Sequence, residues 1–249
     1  MNPLISKIKP ANGFSYLLHL GLVMLMPALV LILVRLDFVP LALSVILLSK
    51  WRMFAVRPRF WPVNIRANAI DIIVGLSTVL FISHTASGFW QLLWAALYGI
   101  WLTLIKPTSG VIMVSVQAFL GQMIGLMALY LVWRDGPLYG LVLLSGLLGY
   151  LAARHFFDSF EEPYGKLLSY SWGYFAAALT WLLGHWLLFY GLVAQPTLLL
   201  STIGYGLATI YYLDHNERLS SGLRRQFIFI MIAIVLVVLT FSDWGDKVF

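Results

Sequence analysis

Apolar residues run along this chain in long blocks, and short polar breaks separate them. Nine blocks stand out, at roughly 14–34, 37–49, 68–83, 89–105, 110–133, 137–153, 168–190, 194–213 and 226–242. A helix that crosses the hydrocarbon core of a bilayer needs about 20 residues, with a range of about 17–25. The pattern therefore predicts an all-α polytopic bundle of about nine transmembrane helices. The second, third and ninth blocks are short by that measure. Pro40 near the start of the second fits a helix-opening turn, and the third can extend by snorkelling at Arg66. Lys7 and Lys9 precede the first block, but the run to Val34 exceeds the h-region of a signal peptide and no small-x-small site follows. The first block is expected to stay as a helix.

The basic residues test this layout. With the N-terminus inside and the spans alternating, the inner side holds Lys7, Lys9, Lys50, Arg52, Arg57, Arg59, Arg66, Lys106, Arg154, Lys166, Arg218, Arg224 and Arg225. The outer side holds Arg35, Arg134 and Lys247, which completes the 16 Lys and Arg residues of the chain. Cytoplasmic loops of membrane proteins carry the excess of Lys and Arg, so the expected topology is N-terminus in and C-terminus out. Between blocks the longest connections are 50–67, 154–167 and 214–225. None could house a folded domain, and residues 1–249 are expected to form one integral membrane domain in the cell (plasma) membrane.

Within the blocks, polar and small residues fall on faces. In the fifth, Ser115, Ala118, Gln122 and Gly125 recur at i, i+3, i+7 and i+10, which is one helical stripe. Gly121 and Gly125 add a GxxxG step, and Ser145, Gly149 and Ala153 recur every fourth residue in the sixth block. Small stripes let helix backbones approach closely where lipid offers no hydrophobic drive. Arg134-Asp135-Gly136-Pro137 reads as a tight turn, so these two spans are expected to form a closely packed antiparallel hairpin. Gln117 and Gln122 can bond across helices or line a path. Apart from Asp37 at the first residue of the second block, Asp71 is the one carboxylate inside a predicted span; it can pair with Arg66 or sit at the positive helix N-terminus. His19 and His185 read as packed side chains.

Composition narrows function. The chain is 61% hydrophobic and 10% charged, with mean hydropathy +0.89, against about 25% charged residues in a soluble globular domain. A water-soluble surface cannot be built from this inventory. The formal charge of +6 is thus a topological signal and gives no support to nucleic-acid binding. Without cysteine, thiol catalysis and thiolate metal sites are excluded. The stretch from Lys50 to Arg66 interleaves Lys50, Arg52, Arg57 and Arg59 with Trp51, Phe54, Phe60 and Trp61. Its aromatics are expected at headgroup level and its cations on anionic lipid headgroups. Pro58 and Pro62 forbid one continuous helix through it. Arg154 to Glu162 concentrates titratable groups in one inner loop, but Glu161, Glu162, His185 and His215 lack the spacing of a membrane metalloprotease and fall on opposite faces of the layout. There is no GxxxxGK[ST], HExxH or GxSxG. No catalytic residue, metal or cofactor is expected.

One resemblance bears on function. Arg66-Ala67-Asn68-Ala69 opens a helix, Trp94-Ala95-Ala96-Leu97 runs to Lys106-Pro107-Thr108-Ser109-Gly110, and Gly121-Gln122-x-x-Gly125 follows. Tyr170-Ser171-Trp172-Gly173-Tyr174 and Leu179-Thr180 come later. From Arg66 to about Tyr190 the chain resembles the fusaric acid resistance protein-like family, which includes aromatic acid exporters. Ala118 and Gln122 stand where that family has Arg and Thr. The resemblance implies a six-helix unit, spans three to eight, that exports organic acids with an ion gradient. The leading expectation is a transport-type protein for small organic or amphipathic solutes, with Asp71, Gln117 and Gln122 on the path and Arg66 and Lys106 at its inner mouth. The alternative is a non-catalytic scaffold or subunit of a membrane complex or homo-oligomer, and a third is an intramembrane enzyme using Asp158, Glu161 or Glu162.

Overall fold

The computed structural model describes residues 14–133, 136–160, 162–186 and 189–243, with side chains from Leu20 onward. Arg134, Asp135, Glu161, Lys247 and the His19 side chain lie outside that set. Among the described residues the fold is helical throughout, apart from one small hairpin. Ten α-helices run α1 Phe14–Arg35, α2 Val39–Leu48, α3 Trp61–Ala67, α4 Ala69–Ser83, α5 Gly88–Ile100, α6 Val111–Val132, α7 Leu138–Asp158, α8 Gly165–Gly184, α9 Gln195–His215 and α10 Ser221–Phe241. A π-helical turn, Trp101–Ile105, prolongs α5, and 3-10 turns fill Trp51–Phe54 and Pro58–Phe60. Among the described residues four helices are each long and apolar enough to cross a membrane: Gly88–Ile105, Val111–Val132, Leu138–Asp158 and Ser221–Phe241. Pro58–Ala67 and Ala69–Ser83 together make a fifth if the pair, bent by 64°, is counted as one span.

The chain forms two compact units and passes between them after Arg52, within α4 after Ser77, and after Thr108. The first holds residues 14–52 and 78–108. Here α1 packs on α5, and a Cβ on Gly99 would stand 2.9 Å from Met24 Sδ. Phe81 lies on Trp94 with ring centres 4.6 Å apart. Arg35, in the last turn of α1, donates to Gln91 Oε1 and to the Gly88 carbonyl, both at 3.2 Å.

The second unit holds residues 53–77 and 109–243 of the described chain. Its most extensive helix pair is α7 with α8. A Cβ on Gly173 would stand 2.9 Å from the Gly146 carbonyl oxygen, and one on Gly146 would stand 3.1 Å from the Gly173 carbonyl. The two backbones touch there, which only glycine permits. The expected α6–α7 hairpin needs correcting on this point. The two helices do pack, but Gly149 turns to Ala176 of α8, 3.0 Å from where its Cβ would lie. The glycine step of α6 serves two neighbours: Gly121 receives Ile70 of α4, and Gly125 receives Ile73 of α4 and Leu148 of α7.

Several element ends differ from the apolar blocks, each for a local reason. α7 continues five residues past the expected end at 153. Arg154 and Asp158 form an i,i+4 ion pair at 2.8 Å, and no proline interrupts before Pro163, so these residues are helical rather than in a loop. The seventh block ends early: α8 stops at Gly184, and Phe189–Tyr190 pairs antiparallel with Val193–Ala194. Gly191 takes a positive φ of 60° in the turn, a conformation cheap for glycine, and Leu192 beside it is 97% exposed. α10 starts at Ser221, before the expected 226, because the Ser220 hydroxyl caps it by accepting from the Leu223 N–H at 3.2 Å. Arg224 and Arg225 therefore belong to its first turns.

Replacing Gly173 with Val is expected to force α7 and α8 apart at a cost of about 1–3 kcal/mol, read as a lowered Tm of the detergent-solubilised protein. Gly21→Ala is the control: nothing lies within 4 Å of a Cβ there, and the mid-helix alanine should leave Tm unchanged or raise it.

Candidate polar site in the helix bundle

Polar side chains of α6 meet neighbouring helices at three levels. Five residues separate Gln117 from Gln122 and eight separate Gln122 from Tyr130, about 7.5 and 12 Å of rise. At the first level Gln117 is 6% exposed, and its Oε1 accepts from His155 Nε2 of α7 at 3.0 Å. An amide oxygen can only accept, so His155 carries its proton on Nε2 here.

Gln122 forms the middle level and is 5% exposed. Its Oε1 accepts from Trp172 Nε1 of α8 at 2.7 Å, while its Nε2 donates to the Leu200 carbonyl of α9 at 3.2 Å. One amide thus ties three helices. Gly204 of α9 makes room for it, since a Cβ there would stand 3.0 Å from the Trp172 ring and 3.3 Å from Gln122 Nε2. At the third level the buried Tyr130 hydroxyl meets Thr180 Oγ1 of α8 at 2.9 Å and Ser145 Oγ of α7 at 3.3 Å. Leu126, Leu141, Ala176 and Leu200 close an apolar core around this level.

The remaining candidates are distributed. Asp71 is buried in the first turn of α4, where the helix N-terminus favours a negative charge. Arg66 lies in the last turn of α3 and within electrostatic reach of Tyr150 on α7, with its Nε buried and unpartnered. Lys106 is exposed after the π-helical turn and belongs to the other unit. In the basic stretch, Trp51 is 61% exposed, Arg52, Arg57 and Arg59 are exposed and Lys50 is half-buried. Arg59 stacks its guanidinium 4.6 Å above the Phe60 ring. Trp61 packs edge-on against Phe54 and donates Nε1–H to the Val56 carbonyl at 3.0 Å. Exposed aromatics held by local contacts beside cations suit a membrane interface.

The sequence reading missed Tyr130, Thr180 and Trp172 as partners. Each sits in an apolar helix and looks like packing until the helices are assembled. It also missed an aromatic cluster around Tyr211, whose ring meets Phe156, Phe157 and Phe160 and whose hydroxyl donates to Glu162. Among the described residues no group of three or more His, Asp or Glu side chains is placed to hold a metal ion.

Comparison with family models, with curated proteins and with solved structures returned no match.

Replacing Gln122 with Leu leaves the Trp172 N–H without its acceptor, while the Leu200 carbonyl loses a second donor but stays in the α9 ladder. Leaving such a donor unpaired costs about 1–3 kcal/mol, so Gln122→Leu is expected to lower Tm clearly more than Ser115→Ala. The Ser115 hydroxyl bonds only its own helix, at Val111 O.

Proposed function

We propose that the chain is a multi-pass protein of the cell membrane, with about nine helical passes, its N-terminus inside and its C-terminus outside. We further propose that it works as a non-catalytic membrane subunit, through association within the bilayer. The observation that carries this reading is Gln122. The polar side chain nearest the middle of the longest apolar block, 110–133, spends both ends of its amide between helices. Polar groups committed in this way hold a bundle together. The outer faces remain available for partners, which include a second copy of the chain: Tyr170, Tyr174 and Trp181 of α8 are all more than half exposed.

A second reading, solute export as in the family the chain resembles, draws on α9. Thr197 Oγ1 and Ser201 Oγ lie one turn apart, buried and without a hydrogen-bond partner, and Gln195 Oε1 is unpartnered too. Buried oxygens of this kind call for water, and a hydrated strip could serve a path that includes Asp71 and the two glutamines, with Arg66 at its inner mouth.

Uptake of a panel of aromatic and aliphatic organic acids by proteoliposomes separates the two. The subunit reading expects flux no higher than in empty vesicles, together with a defined oligomer or complex on mild extraction. Flux that Gln122→Ala or Arg66→Ala abolishes would overturn it in favour of export.

The topology has a direct test, because the chain has no cysteine and single substitutions report alone. Leu192→Cys in the hairpin turn is expected to react with an impermeant maleimide in intact cells. Arg57→Cys is expected to react only after permeabilisation. The reverse pattern would invert the topology.

A further inference from the structure

α7 ends at Asp158 and α8 begins at Gly165, and the reversal between them builds a cleft. Arg154, Phe157, Asp158, Glu162, Pro163 and Lys166 line a space of about 250 Å³. Arg154 is only 8% exposed. It spends Nη2 on Asp158 at 2.8 Å and keeps its Nε buried with no hydrogen-bond partner. A buried guanidinium that leaves a donor unused is costly and implies a missing acceptor.

That arginine stands beside the start of a 20-residue helix. A Cβ on Gly165, the first residue of α8, would lie 3.4 Å from Arg154 Nη1. The start of a helix carries the positive end of its dipole, although the Gly165 N–H itself already donates to the Glu162 carbonyl at 3.0 Å. Lys166 adds a second cation at the exposed side of the cleft. Three sources of positive potential thus converge, the arrangement that suits a phosphate. Two carboxylates face the same space. Asp158 is about half exposed, and Glu162 accepts from the Tyr211 hydroxyl and from the Tyr164 N–H at 3.3 Å. The two cations and two carboxylates balance, so the cleft is neutral in sum and divided in sign. A simple anion would meet the carboxylates, and a simple cation would meet the arginine.

We propose that this cleft binds a zwitterionic phosphoethanolamine group, with its phosphate on Arg154 and Lys166 at the positive end of α8 and its ammonium on Asp158 and Glu162. The source that the surroundings favour is a phospholipid headgroup. Tyr164, Leu167 and Tyr170 beside the cleft are all more than 60% exposed, a surface suited to acyl chains and the headgroup boundary. The proposal rests on the membrane reading above, with 154–167 at the inner face.

Native mass spectrometry of the delipidated full-length protein, given equal amounts of phosphatidylethanolamine, phosphatidylcholine and phosphatidylglycerol, tests it. Phosphatidylethanolamine should be retained about tenfold over phosphatidylcholine, whose methylated nitrogen cannot donate to the carboxylates, and over phosphatidylglycerol, which has no ammonium. Lys166→Gln, at an exposed position, should remove most of that preference without changing Tm. Arg154→Lys should weaken it as well, since the charge stays and Nε is lost. Competition by soluble O-phosphoethanolamine would support the headgroup chemistry from a free source; retention without such competition would support the lipid. Equal retention of all three lipids, a preference for phosphatidylglycerol, or an unchanged preference in both variants would overturn the proposal. Alkaline-carbonate washing of cell membranes checks the underlying reading separately. A protein that stays in the pellet but shows no lipid preference sinks the cleft alone.

Discussion

α7 and α8 approach until their backbones meet at Gly146 and Gly173, and the polar contacts of the bundle depend on that spacing. Trp172 lies against Gly149 and reaches past α7 to Gln122. Two turns further along α8, Thr180 comes within bonding distance of Tyr130, which also meets Ser145 of α7. A bulkier residue at either glycine would lengthen contacts that sit at 2.7–3.3 Å, and such bonds weaken quickly beyond that range. In an apolar surrounding no water replaces them. Helix spacing and polar pairing are therefore one constraint: small residues admit the bonds, and the bonds make the close spacing specific.

Much of the fold could be read from the sequence because the apolar blocks are long and their breaks are short. The helical class, the places of α5, α6 and α9, and the broken run from Lys50 to Arg66 follow from periodicity, proline and charge. The ends were less legible. A hydropathy block cannot register that an ion pair between Arg154 and Asp158 carries α7 onward, or that Ser220 caps α10 ahead of two arginines. Nor can it separate a helix end from the short hairpin at Phe189, since both are apolar. The stripes showed that α6 and α7 would pack closely, but not against which neighbour. Gly149 has the same spacing whether it faces α6 or α8.

The candidate site was legible in part for the same reason. Gln117 and Gln122 stood out because amides are rare in such helices. Their partners did not: a tryptophan N–H, a backbone carbonyl and a threonine hydroxyl carry no signal in one dimension. Arg154 shows the limit most clearly. In sequence it is one of several inner-side cations, and only burial of its guanidinium beside the first residue of α8 separates it from those that lie in water.

α10 is held differently from the rest. Its side chains are mostly exposed, with Val238 buried among Leu183 and Leu199. Its polar ties gather at the C-terminal end, where Ser242 accepts from Gln195 Nε2 at 3.1 Å and the Asp243 N–H donates to the Phe189 carbonyl at 3.0 Å. At the other end the Arg224–Asp214 pair, at 3.4 Å, is exposed and of small energetic weight. Contacts between apolar helix faces can be exchanged for lipid tails at little net cost. α10 is thus tied by polar bonds at one end only, and along its length it rests on apolar contact with α9, where Gly206 makes room for Met231.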